Sequence, residues 1–267
     1  MTTAVEETSS LLEGAPNFRD LGGYAVAGGG RILHGRVFRS EVLIHATDAD
    51  LERIAGLGIS LVLDLRLPDE RRKERNRWPA GPAPETLVFD DRPAMADAQA
   101  AQWVRHLADG KLDAAGAKDM MTGVYRRMPE ALAGDVARLV ERLAAPAPPP
   151  MLVHCMGGKD RTGFVCAMLL WGLGVPWDTI VADYLETGKR RPPERFAAER
   201  LSARVDDLSP RALEVLTVMS GVDPDYLEAA FATARAAFGS VDGYLEDRCG
   251  LTADRKARLR KALIEAA

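Results

Sequence analysis

The sequence predicts an α/β domain, with a small mostly parallel sheet, flanking helices and a helical C-terminal half. Three observations carry this. Ile59 to Leu65 (ISLVLDL) is a nearly continuous β-branched and leucine run, the pattern of a strand buried on both faces. Met151 to His154 is a shorter apolar strand that leads toward an apolar helix over Thr162 to Leu173. Beyond it the pattern is helical; Leu227, Phe231, Ala234 and Phe238 fall at i, i+4, i+7 and i+11 and make one apolar face. Strands first, with helices between and after, suit an α/β sheet.

In chain order, residues 1–15 read as a flexible tail and 16–267 as a single domain. Asn17 to Val26 and Arg31 to Ser40 flank Gly28, Gly29 and Gly30, which suggests a glycine-turned hairpin. Thr47 is placed to N-cap a helix through Ala55, ended by Gly56 and Gly58. Pro68 opens a basic helix over Asp69 to Arg77, and Thr86 to Phe89 reads as a short strand. Ala94 to Ala144 reads as mostly helical, with breaks near Gly110, Gly116 and Gly134, and Pro146 to Pro150 stops it. Ser240 and Thr252 are expected to cap the last two helices.

Composition removes several classes. Of 267 residues, 47% are hydrophobic and 28% charged, which excludes disorder and collagen-like repeats. A net charge of −4 argues against wholesale nucleic-acid binding. Met1 to Leu12 has neither a basic n-region nor an apolar h-region, and Phe164 to Val175 is too short to span a bilayer. The expectation is a cytoplasmic protein without an integral membrane segment, with signal-independent secretion left open. Three cysteines, Cys155, Cys166 and Cys249, make no disulfide framework. The excess of arginine over lysine and the abundance of alanine fit a GC-rich bacterial genome.

Chemistry concentrates in Met151 to Gly163 (MLVHCMGGKDRTG). An apolar strand ends at His154, Cys155 follows, and after five residues Arg161 and Thr162 open a helix. A helix start carries about half a positive charge and several unpaired N–H groups. These favour an anion, either a bound phosphate or the cysteine thiolate itself. Arg161 supplies a planar fork for two phosphoryl oxygens. Gly157 and Gly158 let the chain turn so that its N–H groups converge, and the Thr162 hydroxyl is placed to donate to the Cys155 sulfur. A Walker A loop fails on spacing, with Val153 and Asp160 at two of its defining positions. A zinc site fails with only four histidines and no CxxC. A buried, inert cysteine is the bland alternative; the paired glycines, the arginine and the following helix argue against it.

His154-Cys155-x5-Arg161-Thr162 resembles the signature of the cysteine-dependent protein tyrosine phosphatases. The fuller HCMGGKDRTG is similar to the atypical bacterial branch of the mycobacterial protein-tyrosine-phosphatase-B type. Asn17 to Tyr24 (NFRDLGGY), Val37 to Ser40 (VFRS), Val62 to Arg66 (VLDLR) and Phe238 to Leu245 (FGSVDGYL) extend the likeness from about residue 15 to the end. The resemblance implies a protein-tyrosine-phosphatase-like fold, a cysteinyl-phosphate intermediate and neither metal nor cofactor. It implies Cys155 as nucleophile, Arg161 as phosphate clamp, the main chain of Met156, Gly157, Gly158, Lys159 and Asp160 as cradle, and a helical lid at 94–128. The substrates implied are phosphotyrosine proteins, with phosphoserine, phosphothreonine and phosphoinositides as extensions.

The general acid stays open. Trp78-Pro79 is followed by Ala80, so the Trp-Pro-Asp loop of conventional members is absent. Asp160 lies within the cradle, as in lipid phosphatases of the myotubularin kind. Asp64 ends a predicted strand, where ligand crevices form, or else anchors Arg66 or the loop; Asp90 and Asp91 come third. Lys159 is placed either to meet a second phosphate, as in tumour-suppressor-type phosphoinositide phosphatases, or to pair with a carboxylate. His154 orders the loop and favours the thiolate, or merely packs. Arg71, Arg72, Lys73, Arg75 and Arg77 form a solvated face or contact an acidic ligand. The competing functions are a phosphoinositide phosphatase, a non-catalytic phosphate-binding module and a rhodanese-like sulfur transferase.

Overall fold

The computed structural model describes residues 11–89, 112–193 and 209–265. Its sheet has five strands in the order β1 (Arg19–Asp20), β3 (Val37–Ser40), β6 (Met151–His154), β4 (Leu61–Asp64) and β5 (Glu85–Leu87). Only β1 against β3 is antiparallel; the other pairs are parallel. β2 (Arg31–Ile32) pairs instead with β7 (Ile264–Glu265). The hairpin expected around Gly28 to Gly30 therefore closes through a single bridge, Ala25 to Arg31, because the strand after the turn is taken by the C-terminus.

The apolar strands alternate between two cores. Val37, Leu61, Leu63, Met151 and Val153 face the larger one, which the helices cover. Phe38, Val62 and Leu152 face a smaller one with Leu12, Ala15, Phe18, Leu43 and Ile54. Covering both faces is why these strands read as unbroken apolar runs. Leu12 and Ala15 are fully buried, and the Glu13 and Gly14 N–H groups donate to Asp50 at 2.8 Å. Residues 11–15 are thus part of the fold, not of the flexible tail expected over 1–15. Asp50 lies in α1 (Asp48–Gly56), which Thr47 caps as expected.

The basic helix is shorter than expected: α2 covers Pro68–Lys73. It stops because Asn76 and Arg77 turn inward, Asn76 to the Leu43 N–H and Arg77 to the Ala46 carbonyl. The helical stretch breaks at Leu132, two residues before Gly134, and opens at Ala114, two before Gly116, as expected near both glycines; Gly110 lies outside the described residues. Gly116 sits in the first turn of α3 (Ala114–Ala131), where its N–H meets the Asp113 cap, and Gly134 lies within α4 (Ala133–Leu143), against the Phe89 ring. Then follow α5 (Asp160–Leu173), α6 (Trp177–Arg190), α7 (Pro210–Ser220), α8 (Pro224–Phe238), α9 (Val241–Asp247) and α10 (Ala253–Leu263). Ser240 and Thr252 cap α9 and α10 as expected. Among the described residues no helix is long and apolar enough to cross a membrane.

Ser40, His154 and Asp64 are in register, so β3, β6 and β4 finish on one level. The segment from Cys155 to Lys159 leaves this edge between them and enters α5.

Candidate active site

The loop from Cys155 to Lys159 is held by its carbonyls. Cys155 O faces His154 Nδ1 at 3.0 Å, and Met156 O accepts the Val42 N–H at 3.0 Å. Gly157 O and Gly158 O both accept from Asn17 Nδ2 at 3.1 Å, and Gly158 O also accepts from Arg39 Nη2 at 2.9 Å. In a trans peptide the carbonyl of one residue and the N–H of the next point opposite ways. With four carbonyls bonded outward, the N–H groups of Met156, Gly157, Gly158 and Lys159 face the other side, next to the start of α5. Gly158 has φ 63°, and a Cβ there would lie 2.4 Å from Ser40 O; the close approach needs glycine.

Behind the loop lies a buried ion cluster. Asp183 of α6 accepts from Arg19 Nε at 2.9 Å and Arg39 Nη1 at 2.5 Å. Burial works against its charge, but the two arginines outweigh that and hold the carboxyl down at about 2. Arg19 also grips Asn17 through its carbonyl and Oδ1. Asn17 and Arg19 of the NFRD segment and Arg39 of the VFRS segment thus serve the back of the loop.

His154 has one consistent protonation. The Leu43 N–H donates to Asn76 Oδ1 at 2.9 Å, so Asn76 Nδ2 faces His154 Nε2 at 3.0 Å as a donor. Nε2 therefore accepts, and Nδ1 carries the proton given to the Cys155 carbonyl. Burial pushes His154 the same way, toward the neutral form. It orders the loop without adding a charge.

Cys155 is buried, as are Cys166 and Cys249. Burial pushes the Cys166 thiol up to about 12 and the Cys249 thiol up to about 11, so both are neutral. Arg161 is held by Glu70 of α2, with Nη1 to Oε2 at 2.6 Å and Nη2 to Oε1 at 2.8 Å, and by Leu65 O at 2.9 Å. Burial opposes the guanidinium charge, but Glu70, Cys155 and Asp160 more than offset it. Residues 10–265 match the tyrosine phosphatase family along the whole of this frame. The chain belongs to the tyrosine phosphatase family. It is similar to a protein of Cupriavidus necator named for tyrosine-protein phosphatase activity, with 37% identity over 243 residues covering 86% of this chain and 80% of that one. It is also similar to the triple specificity protein phosphatase PtpB of Mycobacterium tuberculosis, with 35% identity covering 95% of this chain and 98% of that protein. A tyrosine-protein phosphatase of Nostoc commune is 32% identical over 55% of this chain.

In this phosphatase the expected acids occupy different surroundings. Asp64 is 2% exposed and clamped by Arg66, with Nη2 at 2.7 Å, Nε at 2.9 Å and the Arg66 N–H at 3.0 Å. Burial pushes its carboxyl up, yet the Arg66 hydrogen bonds and charge hold it below its ordinary value. That geometry matches the anchor foreseen as the alternative role. Asp160 opens α5 with its side chain 30% exposed, and accepts from the Tyr125 hydroxyl at 2.8 Å. Asp90 and Asp91 lie outside the described residues, as does 94–111 of the expected lid. The remainder of that segment belongs largely to α3, where Ala117, Met121, Val124, Tyr125 and Met128 are buried.

Two side-chain expectations for the cradle change. The Lys159 ammonium donates to Met219 O at 2.7 Å and Gly221 O at 3.0 Å, and lies 3.3 Å from Asp160. This is the carboxylate-paired alternative; the second-phosphate role is not supported, because two carbonyls and Asp160 already occupy the ammonium. Thr162 Oγ1 is buried with no hydrogen-bond partner among the described residues, so its expected bond to the Cys155 sulfur is not formed. In the basic run, Arg71 donates to Arg66 O, Arg72 pairs with Asp69 and Arg77 with Asp48. Sequence reasoning missed Glu70, Asn76, Tyr125 and Asp183. The only local signal was for Glu70, in the first turn of the predicted helix.

Proposed function

We propose that this phosphatase hydrolyses phosphotyrosine through a cysteinyl-phosphate, with Cys155 as nucleophile, Arg161 as clamp and Asp160 as general acid. The observation that carries the reading is the loop whose four carbonyls are bonded outward. It leaves an array of N–H groups around one point, beside a cysteine and an arginine already fixed by Glu70. Such an array meets the charge of an in-line transfer without reorganising. The Cys155 sulfur attacks phosphorus, the P–O bond to the tyrosine breaks, and Asp160 gives its proton to the departing phenolate oxygen. Water then attacks phosphorus, Asp160 takes a proton from it, the S–P bond breaks, and inorganic phosphate leaves with the thiolate restored.

Substrate range follows from the same site. The mycobacterial relative is named a triple specificity protein phosphatase, which supports activity beyond one phosphoamino acid. No observation favours a phosphoinositide over a phosphoprotein. The experiment is a panel of phosphotyrosine, phosphoserine and phosphothreonine peptides beside mono- and bis-phosphorylated inositides, with EDTA present throughout. The expected result is fastest turnover of phosphotyrosine, insensitive to EDTA and blocked by orthovanadate. Turnover that vanishes on chelation and returns with a divalent ion overturns the thiolate mechanism.

A further inference from the structure

We propose that Tyr125 is a positioning residue for Asp160: backed by Tyr184, it occupies one carboxylate oxygen so that the transferable proton resides on the other. This rests on the reading of Asp160 as proton donor. Tyr125 of α3 donates to Asp160 Oδ1 at 2.8 Å, and its hydroxyl lies 2.7 Å from that of Tyr184 in α6. A phenol has one proton, and that of Tyr125 is given to the carboxylate. Tyr184 is therefore the donor in the second bond, and the chain runs Tyr184 to Tyr125 to Oδ1. Burial holds both phenols well above their ordinary range, so both stay neutral.

The same Oδ1 lies 3.3 Å from Lys159 Nζ. A proton placed on Oδ1 would face a phenol and an ammonium that both require an acceptor. Oδ2 has no partner among the described residues, and the side chain is 30% exposed. The other ionisable groups facing Asp160 are Arg161 beside it and Tyr226 of α8. The proton of the reaction is thus assigned to Oδ2, and two buried tyrosines, one on α3 and one on α6, determine where Oδ2 points.

The test compares Tyr125→Phe, Tyr184→Phe and Asp160→Asn on phenyl phosphate, a poor leaving group, and on a dinitrophenyl phosphate, which departs unprotonated. Tyr125→Phe keeps the ring contacts with Tyr184 and Tyr226, at 6.1 and 5.5 Å. It is expected to lower kcat on phenyl phosphate about fivefold to tenfold, the net worth of one ordinary hydrogen bond. KM and the dinitrophenyl rate should change less than about twofold by the same reasoning. The descending limb of kcat against pH should move to higher pH, because the ionised carboxylate has lost a donor. Tyr184→Phe should act in the same direction more weakly, and it carries the test if Tyr125→Phe does not fold. If Asp160→Asn loses both substrates equally, the acid reading falls and this proposal with it. If Asp160→Asn loses only the poor leaving group while the folded tyrosine variants leave the limb unmoved, the proposal alone is overturned.

Discussion

The two sides of the Cys155 loop are built on opposite terms. On the back, the carbonyls of Cys155, Met156, Gly157 and Gly158 are satisfied by His154, Val42, Asn17 and Arg39, and Asp183 ties down two arginines. On the front are N–H groups, the Cys155 sulfur, one guanidinium and a carboxylate with one oxygen committed. Saturation behind makes the openness in front possible. A loop with free carbonyls would turn them toward the N–H groups of its own α5 start, and the anion site would close. Changes on the front should therefore cost rate with little stability, and changes on the back should cost stability first.

The largest expected effect is on the front. Cys155→Ser should lower kcat by about 10⁶-fold, as for other covalent nucleophiles, with an unchanged melting temperature and retained phosphate binding. Substantial turnover in Cys155→Ser, with loss in Cys166→Ser, would show the nucleophile misassigned. Next come the two carboxylates. Asp160→Asn should lower kcat by about 10²–10⁴-fold on a poor leaving group. Asp64→Asn should instead lower the melting temperature, with any rate loss shared by all leaving groups, since it loosens Arg66. If Asp64→Asn is stable and selective for the poor leaving group, the contrast between the faces is wrong.

On the back, Asp183→Asn leaves Arg19 and Arg39 buried without their counterion and should cost about 3–5 kcal/mol, read by urea unfolding at neutral pH. The pH dependence has a definite sign. Asp183 is held at about 2 against an ordinary 3.8, so its contribution is complete above about pH 4 and is lost as pH falls toward 2. The variant should lack that part of the acid unfolding curve. The smallest effect concerns Glu41, whose carboxyl accepts the Asn17 N–H at 2.9 Å and is pushed by burial to about 7, with Arg191 at 3.7 Å too distant to offset it. A raised carboxyl contributes stability below about pH 4.5 that is lost as pH climbs through 7. Glu41→Gln should therefore gain on the wild type between pH 5 and 8, by about 3 kcal/mol at most. Equal curves across that range would place the Glu41 charge in contact with solvent.

The same asymmetry explains what could be read from the sequence. Leu61–Asp64 and Met151–His154 were legible because both faces are buried, which writes an unbroken apolar run into the chain. The front of the loop was legible because Cys155, Gly157, Gly158, Asp160 and Arg161 are neighbours in sequence. The back was not. Asn17 and Arg39 stood out only as parts of segments with a familiar look, and nothing near Asp183 or Tyr125 marks them, since their partners lie in other elements. Asp64 shows the cost of local reasoning: a strand-end carboxylate suggests a crevice, and only the fold reveals Arg66 folded back upon it.

The contacts behind the loop also set a timetable. Asn17 meets Gly157 across 140 residues, and Arg19 meets Asp183 across 164. Closures of this span are the slow part of forming a domain. At a synthesis rate of about 5–20 residues per second, the Arg19 side chain waits roughly 8–33 s on the ribosome before its carboxylate exists. A nascent chain halted at Gly174 contains every residue of the signature loop and lacks the counterion that seats the two arginines behind it. Competence for phosphoryl transfer is accordingly acquired late in the birth of this polypeptide, after the motif that names the chemistry has been translated.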